Sequence, residues 1–174
     1  MVWDQNCTRI VMLTDVKEFG RLKCKENWSD TSGMYTGEFN VSVTDCIIRA
    51  HWIVRTLQVT DRKTNIKRCF HQFHFATWTS DITPEETNLT EFLWLVRTLG
   101  NAQHGPLLVH CSDGIGRTGT FIALDYLLDQ ALDEDAVDVF GYVLGMRGQR
   151  KGMVQTKTLN TERKQIPLGE YGQG

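Results

Sequence analysis

The feature that most constrains this chain is the run from Pro106 to Gly119, Pro-Leu-Leu-Val-His-Cys-Ser-Asp-Gly-Ile-Gly-Arg-Thr-Gly. Its apolar opening, Pro106 to His110, predicts a short buried strand. Glycines at 114, 116 and 119 predict a tight turn, and the apolar residues that resume at Phe121 predict a helix from about Thr118 to Leu132. A strand that turns through glycines directly into a helix points successive backbone N–H groups inwards, at the positive end of the helix dipole. Such a turn is suited to a phosphate-like dianion.

The remaining segments supply a scaffold for that turn. Arg9 to Thr14 is a short apolar run, and Tyr35 to Val43 alternates after Ser32-Gly33. Ile47 to Thr60 and Lys67 to Thr77 are rich in Val, Ile, Phe and Thr. They flank Asp61-Arg62-Lys63-Thr64-Asn65, which predicts a hairpin or meander. From Glu86 to Gly100 the period changes to that of a helix, with Leu89, Phe92, Leu93, Val96 and Leu99 on one face; Phe92, Leu93 and Trp94 read as helix core. A last helix is expected over about Asp135 to Met146, with Val137, Phe140 and Leu144 together on one side. Strands and helices mix, so the class is α/β, a central sheet flanked by helices. A length of 174 residues suits one domain.

Two side chains give the turn its chemistry. Arg117 can grip two phosphate oxygens with its planar fork. Cys111 sits at the entrance of the nest, where a helix N-terminus and a fixed cation favour the thiolate. A thiolate under a bound phosphoryl group is placed for in-line attack on phosphorus, forming a phosphocysteine. Thr118 can donate to the sulfur and ease its departure. Any one of these residues alone reads as packing or an ordinary turn; their agreement at six or seven positions, with the strand before and the helix after, carries the chemical reading.

The stretch VHCSDGIGRTGTFIALDYLL resembles the signature of the cysteine-dependent, tyrosine-specific protein tyrosine phosphatases. MVWDQNCTRIVMLTDVKEFGRLKCKENW, YTGEFNVSV, the strands up to FHFATW and AVDVFGYVLGMRGQRKGMVQT are similar to successive parts of the same domain. The segment FIALDYLLDQ with VDVF is most similar to receptor-type members. The resemblance covers about residues 1–156. It implies a mixed, highly twisted sheet with the Cys-x5-Arg phosphate loop between a strand and a helix. It further implies Cys111 as nucleophile, Arg117 as phosphate clamp, and backbone amides of Ser112, Asp113, Gly114, Ile115, Gly116 and Arg117 around the phosphoryl oxygens. His110 would hydrogen-bond beside the nucleophile, and Gln155 would position the hydrolytic water. The mechanism needs no cofactor and no metal. The implied substrates are phosphotyrosine-containing proteins.

Three departures from that pattern matter. The family's acid loop reads Trp-Pro-Asp-x-Gly-x-Pro, whereas this chain reads Trp78-Thr79-Ser80-Asp81-Ile82-Thr83-Pro84. Ser80 holds the acid's place, so Asp81 serves as the general acid only if the loop shifts by one residue. General acid catalysis contributes about 10²–10⁴-fold, and its loss predicts slow turnover of phosphotyrosine. Asp113 stands where the family has a small residue; its side chain is expected to point outwards, away from a bound dianion. The string Cys-Ser-Asp-Gly is also similar to inositol-lipid phosphatases of the myotubularin type. The alternatives to an active tyrosine phosphatase are therefore a weak or inactive phosphotyrosine-binding module, or a phosphoinositide phosphatase. Finally, the family's first helix and phosphotyrosine loop are not present, Leu159 replaces an expected glutamine, and residues 157–174 are polar and aperiodic. These ends predict a truncated domain of marginal stability with a loosely ordered tail.

Composition narrows the partners. Net charge is −2, which supplies no basic field for nucleic acid. No apolar run reaches the length of a membrane span. Five cysteines at wide spacings, without a CxxC pair, argue against a disulfide framework or zinc site. Four Asn-x-Ser/Thr triplets, starting at Asn6, Asn27, Asn40 and Asn88, read as chance matches because the first residues lack a secretory h-region. The expected location is the cytoplasm, either free or as the intracellular part of a membrane receptor.

Overall fold

The β-branched and aromatic runs of the first half pair as a mixed sheet, seen in a computed structural model that describes residues 1–29, 33–79, 82–100 and 105–155. Its strands are β1 (Arg9–Met12), β4 (Met34–Thr36), β5 (Phe39–Ile48), β6 (Trp52–Asp61), β7 (Lys67–Phe75) and β8 (Leu107–His110), in the order β4-β5-β6-β7-β1-β8. Between β1 and β4 lies a separate short hairpin, β2 (Lys17–Glu18) and β3 (Arg21–Leu22). Strand β1 is parallel to both β7 and β8, with Val11 opposite Phe73 on one side and Val109 on the other. The β4-to-β7 half is antiparallel, and the Asp61–Asn65 turn joins β6 to β7 as the sequence predicts. Asp61 closes that turn by accepting hydrogen bonds from Lys63 N–H and the Thr64 hydroxyl.

Alternation along each strand separates two cores. Val11, Leu13, Val54, Phe73 and Phe75 face α1 (Glu86–Gly100) and α2 (Gly116–Glu134), meeting Phe92, Val96 and Phe121. Phe75, Phe92 and Phe121 stack edge to face in sequence. The opposite face buries Met12, Val41, Leu57 and Phe70 under Trp28 and the N-terminal segment around Trp3. The last helix, α3 (Val139–Gln149), packs against α2 through Met146, Leu127 and Ala123.

Several local expectations differ from the structure; the run expected from Ile47 to Thr60 is one, since β5 ends at Ile48 and β6 starts at Trp52. The segment expected as one strand over Tyr35 to Val43 is broken at Gly37, whose φ of 59° turns β4 into β5. Helix α3 starts at Val139 rather than near Asp135, because Asp135 takes the left-handed conformation that ends α2 and Asp138 caps the new helix by accepting from Gly141 N–H. Of the apolar residues expected on one side of that helix, Val137 lies before it, and Val137, Phe140 and Leu144 are all exposed, Phe140 at 79%. In α1, Phe92 and Leu93 are buried as expected, whereas Trp94 and Leu99 are half exposed. The expected tail, residues 157–174, lies outside the described residues.

Candidate active site

Strand β8 ends at His110 and α2 begins at Gly116, so residues 111–115 form the turn between them. Gly114 has a φ of 70°, and a Cβ there would meet the Arg150 guanidinium at 3.1 Å, so glycine answers both a backbone and a packing demand. The residue before α2, Ile115, offers no side-chain cap, yet the whole first turn from Gly116 to Thr120 is buried. A buried helix start whose N-cap residue makes no side-chain bond offers N–H groups to an anion or to a neighbouring side chain.

Cys111 is buried at the start of this turn. Its sulfur accepts from Gly114 N–H at 3.3 Å and from the Thr118 hydroxyl at 3.2 Å. His110 Nδ1 lies 3.2 Å from the Cys111 carbonyl oxygen.

The Asp113 side chain does not point outwards. Its Oδ1 accepts from the Cys111 thiol and from Ile115 N–H, both at 3.2 Å. The physical reason is local: an Asp oxygen readily takes the N–H two residues ahead, forming an Asx-turn, and the thiol lies beside that position. Partial burial pushes the Asp113 carboxyl up, but the bonds from Cys111 and from backbone N–H groups outweigh it and hold it below its ordinary value. The carboxylate therefore stands against the sulfur.

Arg117 is buried and tied into the scaffold. Its Nη1 donates to Glu18 Oε1 at 2.6 Å, to the Leu13 carbonyl at 2.9 Å and to the Trp78 carbonyl, and Nη2 reaches Glu18 Oε2 at 3.3 Å. Glu18 in turn accepts from the Thr14 hydroxyl at 2.9 Å and lies 3.9 Å from Lys23 Nζ. One guanidinium thus joins the loop, the end of β1, the β2–β3 hairpin and the residue that opens the Trp78–Pro84 segment. Ser80 and Asp81 lie outside the described residues. Gln155 is exposed and follows Val154, whose N–H donates to the Ile115 carbonyl at 3.2 Å.

Sequence reasoning missed Glu18, which is only 3% exposed. No local pattern marks it: it sits in a two-residue strand before a turn in which Phe19 and Gly20 both have positive φ. Arg147 and Arg150 have specific backbone partners. Arg147 bonds Met153 and Val154 carbonyls, and Arg150 bonds the Asp113 carbonyl.

A buried cysteine at the end of a parallel strand and a buried arginine in the first turn of the following helix thus stand together, with five residues between them. The family model described as protein-tyrosine phosphatase matches residues 1–159, and the chain belongs to that family. The human receptor-type tyrosine-protein phosphatase eta is 41% identical over 160 residues, which are 90% of this chain and 12% of that protein. Receptor-type tyrosine-protein phosphatase S of Gallus gallus is 39% identical over 158 residues, 90% of this chain and 10% of that protein. The epsilon protein of Rattus norvegicus is 39% identical over 161 residues, 90% and 23% respectively. The chain thus spans less than a quarter of the length of these relatives.

Proposed function

We propose that this chain hydrolyses phosphotyrosine in proteins through a phosphocysteine on Cys111. The observation that carries the reading is the environment of the Cys111 sulfur, which takes two donors, Gly114 N–H and the Thr118 hydroxyl, at the buried start of α2. Donors aimed at the sulfur stabilise it as attacking thiolate and as leaving group. The backbone amides from Ser112 to Arg117, including those of Asp113, Gly114, Ile115 and Gly116, hold the phosphoryl oxygens. Arg117, held in the first turn of α2 by its bonds to Leu13, Glu18 and Trp78, contacts the phosphoryl oxygens.

In the first step the Cys111 thiolate forms an S–P bond as the P–O bond to tyrosine breaks, and Asp81 protonates the departing tyrosinate. In the second, water placed by Gln155 displaces the sulfur. The catalytic domain on this reading is residues 1–156. The inward Asp113 carboxylate favours slow turnover, because it opposes a dianion in the loop. The relatives, all tyrosine-protein phosphatases by name, favour a protein substrate over an inositol lipid. Receptor-type relatives and five free thiols support a cytoplasmic location as the intracellular part of a receptor. Among the described residues no helix is long and apolar enough to cross a membrane.

The test is turnover of a phosphotyrosyl peptide, an activated aryl phosphate and a phosphoinositide by the chain and by Cys111→Ser. Release from the peptide and the aryl ester that vanishes in Cys111→Ser supports the reading. Turnover of the lipid alone, or activity that survives Cys111→Ser, refutes it.

A further inference from the structure

Of the five non-glycine residues described with positive φ, only Val154 is β-branched, at 57°. The left-handed region drives Cβ towards the following carbonyl, and branching worsens the clash. A valine stays there only where its surroundings over-determine it. Three contacts do so. Val154 N–H is taken by the Ile115 carbonyl at 3.2 Å. Helix α2 approaches so closely that a Cβ on Gly119 would lie 2.6 Å from Val154 N. Arg147, in the last turn of α3, spans the strained residue, with Nε donating to the Met153 carbonyl and Nη2 to the Val154 carbonyl, each at 2.9 Å. The Val154 side chain is buried at 3% exposure, and the next residue is the exposed Gln155.

We propose that Arg147 is a positioning residue for the second half of the reaction. By holding the carbonyls on both sides of the strained residue, its guanidinium fixes the point, one hydrogen bond from the phosphate loop, at which Gln155 enters. This rests on the reading of Gln155 as the residue that places the hydrolytic water. In that step the water oxygen bonds phosphorus as the S–P bond breaks. The phosphocysteine dianion and water become the thiolate and dihydrogen phosphate, with both water protons remaining on the phosphate. Released from Arg147, the turn relaxes to a negative φ at Val154 and Gln155 is redirected. The first step, which uses Cys111 and the loop amides, does not depend on that direction.

The experiment uses the full chain and an activated aryl phosphate, with Arg147→Met, Arg147→Lys and Gln155→Ala. With enzyme in excess, release of the phenol in Arg147→Met is expected at the unmodified rate. Multiple turnover is expected to fall about 10-fold to 100-fold, the range for a misplaced catalytic group, and acid quenching is expected to trap more phosphocysteine. Gln155→Ala should give the same signature, and the double variant should be no worse than either, as for residues acting as a unit. Arg147→Lys, which keeps one of the two carbonyl bonds, should be intermediate and carries the test should Arg147→Met not fold. Parallel loss of both steps, or no rise in trapped phosphocysteine in any Arg147 variant, overturns the inference. An unmodified chain without Cys111-dependent phenol release instead refutes the catalytic reading itself, and the inference with it.

Discussion

A carboxylate oxygen 3.2 Å from the sulfur, in a loop shaped for a dianion, works against binding in two ways. It occupies Ile115 N–H, one of the donors proposed for the phosphoryl oxygens. It also places a negative charge beside a doubly negative ligand, a repulsion of about 1–4 kcal/mol per unit-charge pair at contact distances in this dielectric range. Below its ordinary value, the Asp113 carboxyl stays ionised throughout the neutral range. Replacing it is therefore expected to help. Asp113→Ala should raise kcat/KM for an aryl phosphate about 10-fold, equivalent to about 1.4 kcal/mol. Asp113→Asn, which removes the charge but keeps an acceptor for Ile115 N–H, should give part of the gain. A fall in kcat/KM in both variants would show that the carboxylate serves the reaction. Asp113 and Cys111 were both visible in the sequence, but the orientation of the aspartate was not, because it depends on a thiol and an N–H brought within reach by the turn.

At the scale of elements, the site depends on how α2 meets the segment that follows α3. Gly119 makes that contact possible, and a methyl group there meets backbone, which cannot move aside as a flexible side chain can. Gly119→Ala is expected to lower stability by about 1–3 kcal/mol, as overpacking does, and to slow turnover. Gly145→Ala is the control: it lies within α3 with open space around its Cβ position, and is expected to stabilise by about 0.5–1 kcal/mol through helix propensity. Denaturant melts of the two variants check both signs; stabilisation by Gly119→Ala would mean the close approach is not needed. The elements legible in the sequence were those with local signals. Helix α1 announced itself by its spacing, β6 and β7 by the turn at Asp61–Asn65, and the phosphate loop by its glycines and flanking apolar runs. The β4–β5 break rested on one glycine, and the start of α3 on a left-handed Asp135. Periodicity placed Val137, Phe140 and Leu144 on one side of the chain, but it cannot say whether anything covers that side. Glu18 was illegible because its partner Arg117 lies 99 residues away.

The whole molecule carries a buried polar layer on the sheet face opposite the helices. Arg55 donates to Gln72 Oε1 at 3.1 Å, its guanidinium lies 4.6 Å from the Trp28 ring centroid, and Nη1 is 3.3 Å from His74 Nδ1. His74 Nε2 is 3.0 Å from the Thr14 carbonyl, so a neutral imidazole satisfies both contacts, accepting at Nδ1 and donating at Nε2. Burial first, and the Arg55 cation second, push His74 down from 6.5 to about 4. The unfolded chain therefore binds a proton at this residue between about pH 6.5 and 4 that the folded chain refuses. Stability from this group is fully present above pH 6.5 and declines as pH falls towards 4, by on the order of 3 kcal/mol. Urea unfolding at pH 7 and at pH 4.5 should show that loss, and His74→Gln, whose amide can accept from Arg55 and donate to Thr14, should flatten it; an equal slope in the variant would place the effect elsewhere. This layer connects through Thr14 and Glu18 to Arg117, so the scaffold and the loop are held by one run of polar contacts. On the proposed mechanism, phosphate passes through Cys111. The most direct measurement is acid quenching of the chain during turnover of a phosphotyrosyl peptide, followed by mass spectrometry of the segment that holds Cys111. A phosphoryl group on Cys111, absent in Cys111→Ser together with all phosphate release, is the predicted result. Phosphate released with no adduct on Cys111, or with Cys111→Ser as active as the unmodified chain, would contradict it.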